Sequence, residues 1–196
     1  AIVVYLNKVD LVDDPELRKR LAYDIAQLYR DNLNDAAKAI DAYRNIPVEF
    51  GEQEIEAYRA LDSLYEGEQR WDELAVALEH RIDMGPESHE ELATLKFRLA
   101  GVLHKHLGDA ARAVSLYREV LTLMPEHEGA LAALASLMTD AALGGEASSI
   151  LVDVYESRGD FAQLAAALDV AVQFAEVPSE RVQLMVRAAD VRRSKL

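Results

Sequence analysis

Residues 96–125 read Lys96-Phe97-Arg98-Leu99-Ala100-Gly101-Val102-Leu103-His104-Lys105-His106-Leu107-Gly108-Asp109-Ala110-Ala111-Arg112-Ala113-Val114-Ser115-Leu116-Tyr117-Arg118-Glu119-Val120-Leu121-Thr122-Leu123-Met124-Pro125. Apolar residues recur at three- and four-residue spacing on both sides of Leu107-Gly108-Asp109, the pattern of two amphipathic helices joined by a tight turn. Asp109 can cap the second helix through its side-chain oxygen, and Pro125 stops it. The stretch is a helical hairpin whose two apolar stripes cannot both be buried by a single pair.

The same pattern returns elsewhere. Shifted by 74 residues, Leu21, Ala26, Leu28, Asp35, Ala39 and Tyr43 fall on Leu95, Ala100, Val102, Asp109, Ala113 and Tyr117. Shifted by 90, Tyr65-Glu66, Trp71, Leu74, Ala75, Ala77 and Leu78 fall on Tyr155-Glu156, Phe161, Leu164, Ala165, Ala167 and Leu168. Two registers of matched apolar positions describe a solenoid, in which stacked hairpins share one hydrophobic seam. The spacing predicts helices at Pro15–Asp31, Asp35–Ile46, Glu52–Gly67, Trp71–Met84, Ser88–Leu107, Asp109–Met124, His127–Asp140, Glu146–Ser157, Asp160–Glu176 and Ser179–Leu196. Caps are expected at Asn34-Asp35, Asp109, Asp160 and Ser179, and stops at Pro125, Gly144-Gly145 and Gly159.

These residues resemble the tetratricopeptide (TPR) family. Phe97, Ala100, Gly101 and His104, followed by Ala113, Tyr117, Val120 and Pro125, are similar to its signature of large, small and aromatic positions on paired helices. Tyr23, Ala26, Ala39, Tyr43 and Ile46 repeat it, as do Tyr58, Leu61, Tyr65, Leu74 and Leu78. Gln27 and Asp62 depart from it at the place of Gly101, and His104 stands for the usual Tyr. Units with Leu107-Gly108-Asp109 and Arg70-Trp71-Asp72-Glu73-Leu74 resemble those of large bacterial TPR arrays. The resemblance implies an all-α fold: a right-handed superhelical solenoid of antiparallel hairpins, about ten helices, over residues 15–196. One unpartnered helix is expected near 126–157, because the 90-residue shift leaves one helix over between Glu126 and Ser157. The last helix resembles the first half of a hairpin, with its outer apolar face uncovered.

Residues 1–14 form a separate, strand-like leader. Ala1 to Leu17, with Asn7-Lys8-Val9-Asp10, resemble the guanine-recognising strand and loop of elongation factor Tu. In that family Asn7 and Asp10 would bond guanine and Lys8 would pack along it. No phosphate-binding loop accompanies them, and phosphate contacts supply most of such binding. A guanine-nucleotide role is therefore not expected, and a fused or leader segment is.

Composition narrows the function classes. The chain has 196 residues, 21 Lys plus Arg against 35 Asp plus Glu, a net charge of −14 and no Cys, so disulfide and thiolate chemistry are absent. Phosphate would be repelled, which argues against nucleic-acid partners and anionic membranes. No apolar run approaches the roughly 20 residues of a bilayer span, and membrane insertion is not expected. The sequence does not fix the compartment; a cytoplasmic one is favoured. His104 and His106, two apart on a helix, face different ways, so no metal site is expected. Cofactors and catalysis are likewise not expected, since no catalytic motif occurs.

What remains is a noncatalytic scaffold for a protein or peptide partner, with a structural, self-assembling module as the alternative. In TPR-like arrays the first helix of each hairpin lines the concave groove. Matching helices gives Asp24, Leu28, Asp31, Arg59, Ser63, Glu66, Arg98, Val102 and Lys105 as groove candidates. The carboxylate clamp of chaperone-binding relatives is not visible, because Asp24 and Leu28 stand where it would start. Between Glu49 and Glu91 fourteen acidic residues face Arg59, Arg70 and Arg81, a local balance of −11. Self-association is possible through the N-terminal segment or the C-terminal helix, whose Arg187, Arg192, Arg193 and Lys195 could meet an acidic patch.

Overall fold

The computed structural model describes Val9 and residues 11–196. Among these residues there are ten α-helices and no strand. They are α1 (Pro15–Gln27), α2 (Ala36–Phe50), α3 (Ile55–Gly67), α4 (Trp71–Asp83), α5 (His89–Val102), α6 (Ala110–Leu123), α7 (Glu128–Leu137), α8 (Gly144–Arg158), α9 (Phe161–Phe174) and α10 (Pro178–Lys195). The expected strand-like run Ala1–Leu6, and Asn7, Lys8 and Asp10, lie outside the described residues.

The chain forms two compact units, Ala1–Gly85 and Pro86–Leu196. In the first, α1 to α4 pack each on the next; in the second, α5 to α10 do the same, and α6 also reaches α8. Periodicity explains the packing. Tyr43 and Leu78 are at most 2% exposed in the first unit, and Tyr117, Leu134, Leu151 and Leu168 are as deeply buried in the second. The 74-residue register recurs in aromatic pairs: Tyr23 meets Tyr43 edge-on with ring centres 6.4 Å apart, and Phe97 meets Tyr117 at 5.9 Å. Small residues at the crossings, Ala26, Ala39, Ala57, Ala93, Ala100 and Ala113, are fully buried and let the helices close up.

The two registers also end their first helices differently. In the 74-residue register α1 and α5 widen into π-helical turns, Leu28–Asn32 and Leu103–Leu107. Each is closed by a left-handed residue, Asn34 (φ 49°) or Gly108 (φ 71°). Asp35 and Asp109 then donate their amides to the carbonyls of Tyr29 and Leu103 and cap the next helix by accepting from Lys38 and Arg112 amides. In the 90-residue register the turn is tighter: the amides of Arg70 and Asp160 reach the carbonyls of Tyr65 and Tyr155, past left-handed Gln69 and Gly159. This is the Schellman closure.

Several local expectations change. α2 does not stop before Pro47 but runs through it to Phe50, because tertiary burial of Ile46 and Pro47 holds the turn despite the missing amide. Gly144 and Gly145 open α8 instead of ending a helix, and neither has a left-handed φ. Gly144 is needed for space: a Cβ there would lie 2.4 Å from the Phe174 ring and 2.5 Å from the Met138 carbonyl oxygen. Gly101, a small position of the signature, has nothing within 4 Å of such a Cβ. Asp160 makes no side-chain cap, and Ser179 lies inside α10, which Pro178 opens.

Candidate functional site

The sequence-predicted groove residues divide between the units. On α1, Asp24 is half-buried, and the π-helical turn that follows carries half-buried Leu28 and exposed Asp31. Asp31 accepts from the Arg30 side chain at 2.6 and 3.0 Å, and that guanidinium holds its carboxyl below the ordinary range. On α3, Arg59 pairs with Glu56 at 2.7 Å, Ser63 donates to the Arg59 carbonyl at 3.4 Å, and Glu66 is exposed. In the second unit Arg98 is half-buried and Lys105 exposed, whereas Val102, only 7% exposed, is a core residue with little surface to offer.

The first unit holds a concavity on a different set of helices. It measures about 930 Å3 and lies between the C-terminal half of α2, α3 and α4. Pro47, Tyr58, Leu61, Tyr65 and Ala77 make its apolar lining, and Val48 and Val76 line it while 86% and 64% exposed. Glu52, Asp72 and Glu73 add three carboxylates, against the guanidinium of Arg44 in the lining and that of Arg70, which binds Glu73. The lining is therefore greasy in the middle and negative around it.

Local packing fixes these groups. The Tyr58 and His80 rings meet at a tilt of 48° with centres 4.7 Å apart, and His80 Nε2 is buried with no hydrogen-bond partner among the described residues. Burial pushes the Tyr58 and Tyr65 phenols above their ordinary range, so both remain neutral hydroxyls at physiological pH. Arg70 lies 5.3 Å over the Tyr65 ring and donates Nε to Glu73 at 2.9 Å. That bond holds the Glu73 carboxyl below its ordinary range.

The second unit has a counterpart of about 530 Å3 where Arg118, Leu121 and Thr122 occupy the places of Arg44, Pro47 and Val48. There Arg118 is bound to Glu146 at 2.5 Å, and Thr122 donates to the Arg118 carbonyl at 3.0 Å. The 74-residue repeat thus keeps the fold at both places, but the second lining mixes Leu121, Pro125, Ile150 and Val154 with Thr122, Ser149 and Ser157, where the first carries Val48, Val76 and two tyrosines. Reading first-helix faces alone passes over Val48 and Val76; the signal in the sequence is that each falls outside the buried stripe of its helix. Among the described residues no group of His, Asp or Glu side chains converges as a metal site, and no helix is long and apolar enough to cross a membrane.

No protein-family model matches the chain, and no curated protein does. Solved structures do. YrrB, described as a TPR protein with an unusual peptide-binding site, is 18% identical, with 100% of this chain and 95% of that one covered at a TM-score of 0.50. MamA is 15% identical over 96% and 89% of the two chains at 0.47, and BtubC from P. vanneervenii 21% identical over 98% and 82% at 0.42. The likeness to YrrB establishes the fold, a TPR-like array of helical hairpins; the other two lend it no weight.

Proposed function

We propose that this TPR-like array is a noncatalytic protein-interaction scaffold, and that the cleft between α2, α3 and α4 takes a peptide or protein segment carrying an apolar anchor next to Lys or Arg. The observation behind this reading is the pair of exposed valines, Val48 and Val76, beside an apolar lining with the carboxylates of Glu52 and Asp72 and with Glu73, which Arg70 binds. A contiguous apolar patch on an otherwise charged surface favours contact with a partner. Burying it contributes roughly 25 cal/mol per Å2, while the carboxylates select basic segments and repel acidic ones. The walls are packed helices, so little of the receptor must be ordered on binding. The chain's negative charge disfavours nucleic acid as the partner, and no cofactor is needed for this role.

A random peptide library displayed on phage and panned against the whole chain tests the reading. Enriched peptides should pair an aromatic or branched apolar residue with Lys or Arg. The best of them should bind Val76→Lys at least about tenfold more weakly, roughly 1.4 kcal/mol, and bind Glu66→Lys unchanged. Intact binding to Val76→Lys with loss in Glu66→Lys would move the site to the first-helix face of Asp24, Asp31, Arg59 and Glu66.

A further inference from the structure

We infer, on the strength of that cleft reading, that the segment it accepts carries charges of both signs beside its apolar anchor: an Asp or Glu side chain for Arg44 and a Lys or Arg side chain for Asp72. The 74-residue register sets Arg44 against Arg118 and Asp72 against Glu146. In the second unit these positions meet, the Arg118 guanidinium of α6 donating to the Glu146 carboxylate of α8 at 2.5 Å. In the first unit they do not. Arg44 and Asp72 both line the cleft and are exposed, and neither side chain has an ion pair or hydrogen bond among the described residues. Asp72 is one methylene shorter than Glu146, so the first cleft has the charges of the second without the reach that joins them.

The second unit also shows where an anion sits against this arginine: a carboxylate from the occupant takes at Arg44 the place that Glu146 holds at Arg118. Arg44 gives up no bond to receive it. Glu73, whose carboxyl Arg44 helps to hold low, is bonded by Arg70 instead. The anion does not come alone, however. Around the Tyr65 end of the cleft two cations, Arg44 and Arg70, stand against three anions, Asp41, Asp72 and Glu73. A segment bringing only a carboxylate would add to that excess, whereas one that also brings a cation to Asp72 matches both walls.

The spacing along each wall sets the order of these contacts. On α2 Val48 follows Arg44 by four residues, and on α4 Val76 follows Asp72 by four, so each helix presents a charge and, one turn on, an exposed valine. One turn is about 5.4 Å, the length of roughly two residues of extended chain. The occupant's charged residues therefore lie next to its anchor or one position removed from it.

Peptides enriched from the displayed library on the whole chain should hold an Asp or Glu as well as a Lys or Arg within about two positions of the apolar anchor. In fluorescence anisotropy, replacing that acid by its amide in the best peptide should weaken binding to the native chain about fivefold. Arg44→Gln should weaken the unaltered peptide equally, and the two changes together should cost no more than either alone. Asp72→Glu keeps the charge and adds the methylene, so its carboxylate should reach Arg44 as Glu146 reaches Arg118, and the unaltered peptide should bind more weakly. Both positions are exposed, circular dichroism checks that the helices persist, and the peptide exchange needs no variant of the chain. Enriched peptides without an acid, additive losses from the peptide and Arg44 changes, or unchanged binding to Asp72→Glu would each overturn the inference. If the enriched peptides still lose binding to Val76→Lys in that case, only the charge pairing is wrong; if they do not, the cleft reading falls with it.

Discussion

Asp62 stands where the repeat has Gly101, and Arg81 of α4 absorbs the difference. The two side chains form an ion pair at 1% and 8% exposure, joining α3 to α4. Removing one partner leaves the other charge in the interior without its closest counter-charge, whereas removing both takes both charges out of it. Asp62→Ala should therefore cost about 3–5 kcal/mol in urea unfolding, and Asp62→Ala with Arg81→Leu should recover most of it. Equal destabilisation of the single and double variants would show that the pair holds α4 by more than charge. The sequence marks Asp62 as a departure from the signature but gives no means of finding Arg81, nineteen positions later. The partner is fixed by how α4 rotates against α3.

At the scale of elements, periodicity places every helix among the described residues, because each stripe is long enough to average over local exceptions. Ends are less legible, since they depend on what the terminus meets. The spacing predicts a helix ending at Ile46, yet α2 continues through Pro47 once Ile46 and Pro47 are buried. Gly144-Gly145 reads as a break, yet it is the space Phe174 needs. Capping is decided by neighbours too: Asp35 and Asp109 cap as expected, while the caps on α5 and α7 come from Ser88 and from His127, whose Nδ1 accepts from the Ala130 amide at 3.1 Å. Asp140 orders the turn into α8 by accepting from the amides of Ala142 and Leu143 at 2.8 and 2.9 Å. Those bonds, the Leu143 one first, hold its carboxyl below the ordinary aspartate range. A depressed carboxyl stabilises the fold above its unfolded pKa, and the contribution fades as pH falls through the folded value. Asp140→Asn should thus melt below the native chain at neutral pH, with the gap closing only under acid conditions beneath the ordinary aspartate range. A gap that persists unchanged at low pH would place the effect in packing.

For the whole molecule, the repeat registers make the all-helical hairpin architecture readable, but the division at Gly85 and Pro86 is not, because no composition change marks it. The second unit holds its own core, from Leu95 and Leu99 through Tyr117, Leu134 and Leu151 to Leu164 and Leu168, all at most 2% exposed. Residues 86–196 expressed alone should consequently give a helical circular dichroism spectrum with a cooperative melt. A molten, non-cooperative transition would show that this core needs the first unit. The cleft was the least legible feature. Its apolar lining arises from α2, α3 and α4 together, and only the outward valines hint at it in one dimension.

The Asp62–Arg81 pair also sets how the first unit responds to heat. Hydration of charged groups becomes less favourable on warming, so keeping the carboxylate and guanidinium out of water weighs less against their attraction. An all-apolar substitute that matches the native hairpin on the bench would fall behind it as temperature climbs, which makes the ionic tie a device for the warm end of the range.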